Sequence, residues 1–241
     1  SALAAFAEDN DISPEDLARA YGIDIKSKPV PPTAITATTT TLTSTTKTTK
    51  TTTSTFTSLT PTIPHTPRGP ATLGKYLSLD CEMVGCGPSP PHESSQLARV
   101  SIVNYHGLPI LDIFVLPVSP VTDWRTHISG VRPSDMANAI PFSTAREQVQ
   151  ILLRGRILIG HALHNDLKVL NLKHPRRDVR DTSQLEILRK IYGNGRTPAL
   201  RKLSKEVLGI EIQGGEHSSV VDASACMLVY RRFRREFEEE N

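Results

Sequence analysis

The sequence predicts an α/β domain with a central mixed sheet of five strands, three antiparallel and then two more, flanked by helices. Two observations carry this. Strand-like runs come first, between residues 76 and 116, with the dipeptide His106-Gly107 placed to turn a hairpin. Short apolar runs then alternate with helical spacing as far as residue 239, the pattern that lays helices on the faces of a mixed sheet. The chain has 241 residues, enough for one or two domains.

In order, residues 1–30 read as a short helical arm. Ser13 serves as N-cap, Pro14 takes the first position, Glu15 and Asp16 fill the first turn, and Gly22 ends it. So short a helix gains little stability by itself. Residues 31–70 change character: 18 of the 30 residues from Thr33 to Thr62 are Thr, and prolines crowd both ends. No alternation offers a sheet face to bury, so this is expected to be a disordered linker. The folded domain is expected over 71–241. The chain opens on Ser1 and not Met, as a fragment or processed form would.

Within the domain, Tyr76–Met83, Leu97–Asn104 and Ile110–Leu116 are the first three strands. Val131–Ala139 and Ser143–Arg154 are expected helices, with Pro133 and Pro141 near their beginnings. Arg156–Gly160 is a short buried strand, Leu163–Leu172 a helix and Val179–Thr182 the last strand. Helices over Thr182–Ile191, Pro198–Leu208 and Ser218–Glu239 complete the domain.

Composition excludes little. A net charge of +3 permits a nucleic-acid partner without demanding one. Cys81, Cys86 and Cys226 are an odd number with no CxxC pair, which fits a reduced intracellular protein. No secretory signal is visible at this N-terminus. No apolar run approaches the roughly 20 residues of a membrane span, so no membrane partner is expected.

The chemistry starts at Lys75–Gly87, KYLSLDCEMVGCG. Side chains alternate along a strand, so Tyr76, Ser78, Asp80 and Glu82 share one face and Leu77, Leu79 and Cys81 the other. Two carboxylates at the end of a buried strand are costly unless a cation lies between them, and hard divalent cations prefer oxygen ligands. In LIGHALHNDLKVL a strand ends at Gly160 and a helix follows, with Asp166 near its first turn on the face of Leu163 and Leu170. Taken alone, Asp166 also fits an N-terminal helix acid favoured by the macrodipole. In HSSVVDASACM, Asp222 falls about one turn into a helix, on a stripe with Cys226, Val229 and Phe233, where acids are rarely left unpaired. His217 precedes that helix at a fixed short spacing.

Other candidates read more simply. Cys81 and Cys86 are too few for zinc, and Gly85-x-Gly87 lacks the pattern of a phosphate loop. Asp181 is expected to cap the helix after it or to pair with Arg180. Lys168, Lys173, Arg176, Arg177, Arg180, Arg201, Lys202 and Lys205 line either a nucleic-acid path or a solvated face. Arg231, Arg232, Arg234 and Arg235 followed by Glu236–Glu240 read as a solvated helix end.

Asp80-x-Glu82, then Asp166 on a helix, then His217-x4-Asp222 resembles the three motifs of the DEDD exonucleases. The His five residues before the last Asp marks the DEDDh branch; the sister branch has Tyr at the position of Ser218. The segments LDCEMVGCG, RVSIVN, VTDWRTHISGV, GHALHNDLKVL, HPRRDVRDTSQL, TPALRKLSKEVLGIEIQ and EHSSVVDASACMLVYRR resemble more narrowly the RNA exonuclease 4 family, which is eukaryotic and especially fungal. The resemblance runs nearly unbroken over about Gly74–Arg232. Three departures stand out. Ala162 takes the place of the Asn of bacterial proofreading relatives, Val221 stands where Glu is frequent, and QLEILRK replaces a basic-aromatic run.

The resemblance implies an RNase H-like fold and 3′→5′ exonuclease activity. Asp80, Glu82, Asp166 and Asp222 would hold two Mg²⁺ or Mn²⁺ ions about 4 Å apart, with His217 as general base. Met83 would pack on the terminal nucleotide, or else fill a core gap. The substrate would be single-stranded RNA, with ribosomal RNA precursors and pre-ribosomal particles as partners, in the nucleus and nucleolus. A DNA exonuclease of the same branch and a non-catalytic pre-ribosome assembly factor are the alternatives.

Overall fold

In a computed structural model of the chain, the described residues are 73–88 and 94–240. The arm over 1–30 and the linker over 31–70 lie outside them. β1 (Tyr76–Cys86), β2 (Ser94–Asn104) and β3 (Pro109–Leu116) form the expected antiparallel meander. At the β2–β3 turn the Asn104 side chain accepts the His106 and Leu108 N–H groups, each at 3.0 Å, and Gly107 takes φ +79. β6 (Ile157–Gly160) runs parallel to β1, and β7 (Val179–Asp181) parallel to β6.

All five expected strands are present, and two short ones extend the sheet to seven. β4 (Val121–Asp123) pairs antiparallel with Gly85 and Cys86; β5 (Ile140–Pro141) pairs parallel with the end of β3. Neither is long enough to show a period of two. β4 exists because β1 continues three residues past its expected end at Met83. Val84 and Cys86 bury there with Ala98 and Val131 in a small separate cluster. The sheet order is β5-β3-β2-β1-β6-β7, with β4 beside the far end of β1.

Among the described residues the helices are α1 (Thr126–Ser129), α2 (Phe142–Leu153), α3 (His164–Val169), α4 (Glu186–Gly193), α5 (Leu200–Leu203), α6 (Ser219–Arg232) and α7 (Arg234–Glu240). Several are shorter than expected. Val131–Ala139 is a 3₁₀ turn over Pro133–Asn138 with no buried residue. Pro133 lacks an N–H, Asp135 accepts the Arg132 N–H at 2.8 Å, and no apolar stripe sustains a longer helix. The helix expected at Thr182 starts at Glu186. Asp181 first takes the Ser183 N–H on its side chain and the Gln184 N–H on its carbonyl, both at 2.9 Å, which spends those residues on a turn. α5 runs on into a π-helical turn over Ser204–Leu208. The C-terminal helix breaks at Phe233 into α6 and α7.

Strand alternation sorts two cores to the two faces. α6 packs its Ala223–Tyr230 segment against Val103, Ile157 and Ile159. α2 and the Leu163–Leu170 segment pack against Leu77, Leu79, Val100, Ile102 and Leu158 on the opposite face. α6 is buried nearly all round, as a helix lying across the middle of a sheet must be. The C-terminus is not merely a solvated end. Phe237 is buried, Glu238 accepts two hydrogen bonds from Arg180 at 3.1 and 2.8 Å, and Tyr230 donates to it at 2.8 Å. Arg180 therefore pairs with Glu238, 58 residues on, and not with Asp181.

Candidate active site

The site forms along β1 between the packed Leu77–Leu79 stretch and the small cluster around Val84 and Cys86. Glu82 pairs with Arg99 and Met83 with Leu97, so Ala98 is an extra residue in β2 and the ladder bulges there. Bulges re-aim side chains, and this one falls directly after the second carboxylate. Asp80 and Glu82 stay on the face covered by α6. Asp222, about one turn into α6, faces them. One carboxylate oxygen from each of Asp80, Glu82 and Asp222 lies within 4.8 Å of the others, the sole group of three or more such donors among the described residues.

Asp166 reaches the same place from the opposite face of the sheet. It is buried in the first turn of α3. Against burial, the Cys81 thiol and the N–H groups of Cys81 and Asp166 itself favour its charged form. It stands beside the three-carboxylate cluster and not within it, and after burial its charge is the largest influence raising Asp80. The strand end is thus clamped between an acid from each helix layer.

Electrostatics describe a site short of positive charge. Burial, then Asp166, Asp222 and Glu82, push Asp80 well above the ordinary carboxylate range. Glu82 is raised to about 8, by burial first and then by Asp222 and Asp166, against the lowering effect of Arg99. Burial raises Asp166 to about 7, and Asp222 rises for the same reason despite help from Gln213 and His217. One oxygen of Glu82, Oε1, is buried with no hydrogen-bond partner. An orphaned carboxylate oxygen among raised acids is what a hard divalent cation would satisfy, so the donor set fits such an ion.

His217 sits in the loop before α6. Its Nδ1 is 3.7 Å from Asp222 Oδ2, an ion-pair distance too long for a hydrogen bond. Gln213, with φ +55, donates to the same Asp222 oxygen at 2.9 Å. Met83 is half-buried across from Leu97 and packs partly on the core beneath α2 and α3.

Asp181 departs from expectation. Besides Ser183, it accepts the Ala162 N–H at 2.8 Å and the Leu163 N–H at 2.9 Å. It therefore ties down the loop before α3, the helix that carries Asp166, and does not cap the helix after it. Ala162 there takes φ +56, and a Cβ on Gly160 would meet Leu163 Cδ2 at 2.5 Å. Sequence reasoning missed Arg99, Gln213 and this role of Asp181. Arg99 was accessible in principle, since pairing the two strands sets it opposite Glu82. The other two depend on loop paths that no periodicity encodes.

A family profile described as RNase_T: Exonuclease matches residues 77–230. RNA exonuclease 4 of Kluyveromyces lactis is 54% identical over 167 residues, which are 69% of this chain and 56% of that protein. RNA exonuclease 4 of Saccharomyces cerevisiae is 52% identical, over 69% of this chain and 57% of that protein. The chain thus spans little more than half the length of these relatives. RNA exonuclease 4 of Gibberella zeae is 41% identical over 241 residues, 100% of this chain and 67% of that protein. Among solved structures, the Neurospora crassa Pan2 catalytic unit (protease and nuclease domain) has TM-score 0.58 and 25% identity, covering 69% of this chain and 28% of that one. The Saccharomyces cerevisiae Pan2 pseudoubiquitin hydrolase–RNA exonuclease module in complex with A7 RNA has TM-score 0.59 and 27% identity, covering 69% and 29%. The central mixed sheet with its flanking helices is accordingly RNase H-like. With one profile across residues 77–230 and a relative aligned along the whole chain, the protein belongs to the RNase T-type exonuclease family and, within it, groups with the RNA exonuclease 4 proteins.

Proposed function

We propose that this domain is a metal-dependent 3′→5′ exoribonuclease that releases nucleoside 5′-monophosphates. The observation that carries the reading is the convergence of Asp80, Glu82 and Asp222 within 4.8 Å, with His217 3.7 Å from Asp222. Asp80, Glu82, Asp166 and Asp222 would hold two Mg²⁺ or Mn²⁺ ions, whose charge activates a water and stabilises the leaving oxygen.

The protein's own groups do the rest. His217 turns Nδ1 toward Asp222, which leaves Nε2 to accept a proton from the attacking water. Asp222 then stabilises the imidazolium that forms. Water oxygen bonds to the terminal phosphorus, and the bond from phosphorus to the 3′-oxygen of the preceding nucleotide breaks. Met83, beside the bulge, would pack on the terminal nucleotide without reading its identity.

RNA is favoured over DNA by the names of the relatives and by the Pan2 structure holding an A7 strand. Ribosomal RNA precursors within pre-ribosomal particles, in the nucleus and nucleolus, are the substrate setting expected from the family resemblance. The test is degradation of matched single-stranded RNA and DNA oligomers, with Mg²⁺, with Mn²⁺ and with chelator. Asp80→Ala, Glu82→Ala and Asp222→Ala should each abolish monophosphate release. Full activity in these variants would put the site elsewhere, faster DNA turnover would make it a DNA exonuclease, and RNA binding without turnover would leave an assembly factor.

A further inference from the structure

His217 is held by a turn far upstream in sequence. No side-chain hydrogen bond caps α6 at Ser218, so that helix does not by itself fix the residue before it. Instead the His217 N–H donates to the Ile128 carbonyl at 2.7 Å. The His217 carbonyl lies against Gly130, where an added Cβ would stand 2.7 Å from its oxygen, closer than real Cβ atoms approach. Both sides of this residue's main chain are therefore occupied by the Ile128–Gly130 turn.

The turn itself is stiff. Thr126 Oγ1 donates to the Val131 carbonyl at 2.7 Å, Ser129 Oγ donates to the Trp124 carbonyl at 2.9 Å and accepts the Val131 N–H at 3.1 Å. Val131 is wholly buried with Val84 and Cys86, the continuation of the strand that carries Asp80 and Glu82. Arg132 adds a further link, donating to the Gly130 carbonyl at 3.0 Å and to Glu216 at 2.6 Å. That ion pair is half-exposed and adds little alone.

We propose that Gly130 is a positioning residue for His217. By leaving room for the His217 carbonyl it lets the turn fix the imidazole relative to the carboxylates on β1. The inference rests on the proposed role of His217 as general base. Its φ of +66 would by itself explain a glycine ending α1, so the close approach is the distinguishing feature. The molecule supplies the control. Gly155 has φ +69 with nothing within 4 Å of an added Cβ, so Gly155→Ala carries the same backbone strain without the contact.

The experiment compares Gly130→Ala, Gly155→Ala, His217→Ala and the Gly130→Ala/His217→Ala double variant. It measures kcat and KM on single-stranded RNA, the Mg²⁺ midpoint, Tm, and hydrogen exchange at the His217 amide. Gly155→Ala should lower Tm and leave kcat within about twofold of native. Gly130→Ala should lower kcat roughly 10- to 100-fold, the scale set by misplacing a catalytic group by an ångström or less. KM and the Mg²⁺ midpoint should hold. The double variant should be no slower than His217→Ala, because a misplaced base costs nothing once the base is gone. The His217 amide should exchange faster in Gly130→Ala but not in Gly155→Ala. Equal kcat in the two glycine variants, or a double variant slowed by the full Gly130→Ala factor, overturns the proposal. Unchanged exchange at His217 overturns it whatever the kinetics. Native turnover in His217→Ala would instead remove the base assignment, with exchange still deciding whether Gly130 holds the His217 main chain in place. If Gly130→Ala does not fold, Thr126→Val loosens the same turn without touching His217 and should give the same pattern more weakly.

Discussion

At the scale of single residues, the site separates groups that touch substrate from groups that place them. His217 belongs to the first kind in the proposed mechanism. Its removal should lower kcat by about 10²- to 10⁴-fold, the contribution of a positioned general base. The Mg²⁺ midpoint should stay near native, since the four carboxylates remain; a midpoint that moves with kcat would make His217 part of the cation site. Asp181 belongs to the second kind. It gathers three backbone N–H groups, two of them in the loop that starts α3. Asp181→Asn keeps the size of the side chain but leaves it one acceptor oxygen in place of two. The loop should relax and carry Asp166 with it. We expect activity to fall roughly 10- to 100-fold, the usual cost of losing a group that orients a ligand, with a raised Mg²⁺ midpoint. Lower Tm with native kcat and midpoint would reduce Asp181 to a folding role.

At the scale of elements, α7 is the clearest case of a helix whose part lay hidden. Its sequence, RREFEEE, resembles a solvated end, yet Glu238 receives the buried Arg180 of β7 and the hydroxyl of Tyr230 from α6. Three elements meet at one carboxylate. Glu238→Ala would leave Arg180 buried without its partner and should cost about 2 kcal/mol, or roughly 4–8 °C in Tm. Because the contact lies away from the carboxylate cluster, kcat below the transition should stay near native; a variant with native Tm would show the pairing to be superficial. The same contrast explains what could be read in advance. β1, β2, β3 and β6 were legible because alternation and continuous apolar runs report burial residue by residue. Strand alternation made it legible that Asp80 and Glu82 share a face, and the apolar stripe that Asp222 points inward; that the three meet was implied by the family resemblance. Asp166 was legible as inward-facing, but its place beside Cys81 was not. Arg180–Glu238, Gln213–Asp222 and Asp181–Ala162 escaped notice because each joins residues whose proximity is set by loop paths. β4 and β5 escaped for a simpler reason, being too short for any period.

At the scale of the whole molecule, the site places function against stability. Without cations the fold must bury Asp80, Glu82, Asp166 and Asp222 together, and every one is raised above its ordinary range, first by burial. The folded state then binds more protons than the unfolded state between the two sets of values, so unfolding free energy falls as pH rises. The stabilisation due to these acids is complete below about pH 4 and is lost as pH passes the folded values, about 7 for Asp166 and about 8 for Glu82. Other groups slope the opposite way but elsewhere. Hydrogen bonds from Arg180 and Tyr230 hold Glu238 below its ordinary 4.5, and burial holds His161 below its ordinary 6.5. The window from pH 6.5 to 8 is thus left to the carboxylate site. In chelator, Tm should drop across it. A divalent cation held by the deprotonated acids, as proposed, would stabilise the folded state by mass action, so the rise in Tm on adding Mg²⁺ or Mn²⁺ should grow with pH. Glu82→Gln removes the repulsion but also a ligand. It should melt higher than native at pH 8 in chelator, respond less to metal, and degrade no RNA. A native Tm that climbs from pH 6.5 to 8 in chelator, or a Glu82→Gln variant less stable than native there, would show that the acids are already neutralised within the protein. The cluster would then have no deficit of charge for a cation to fill.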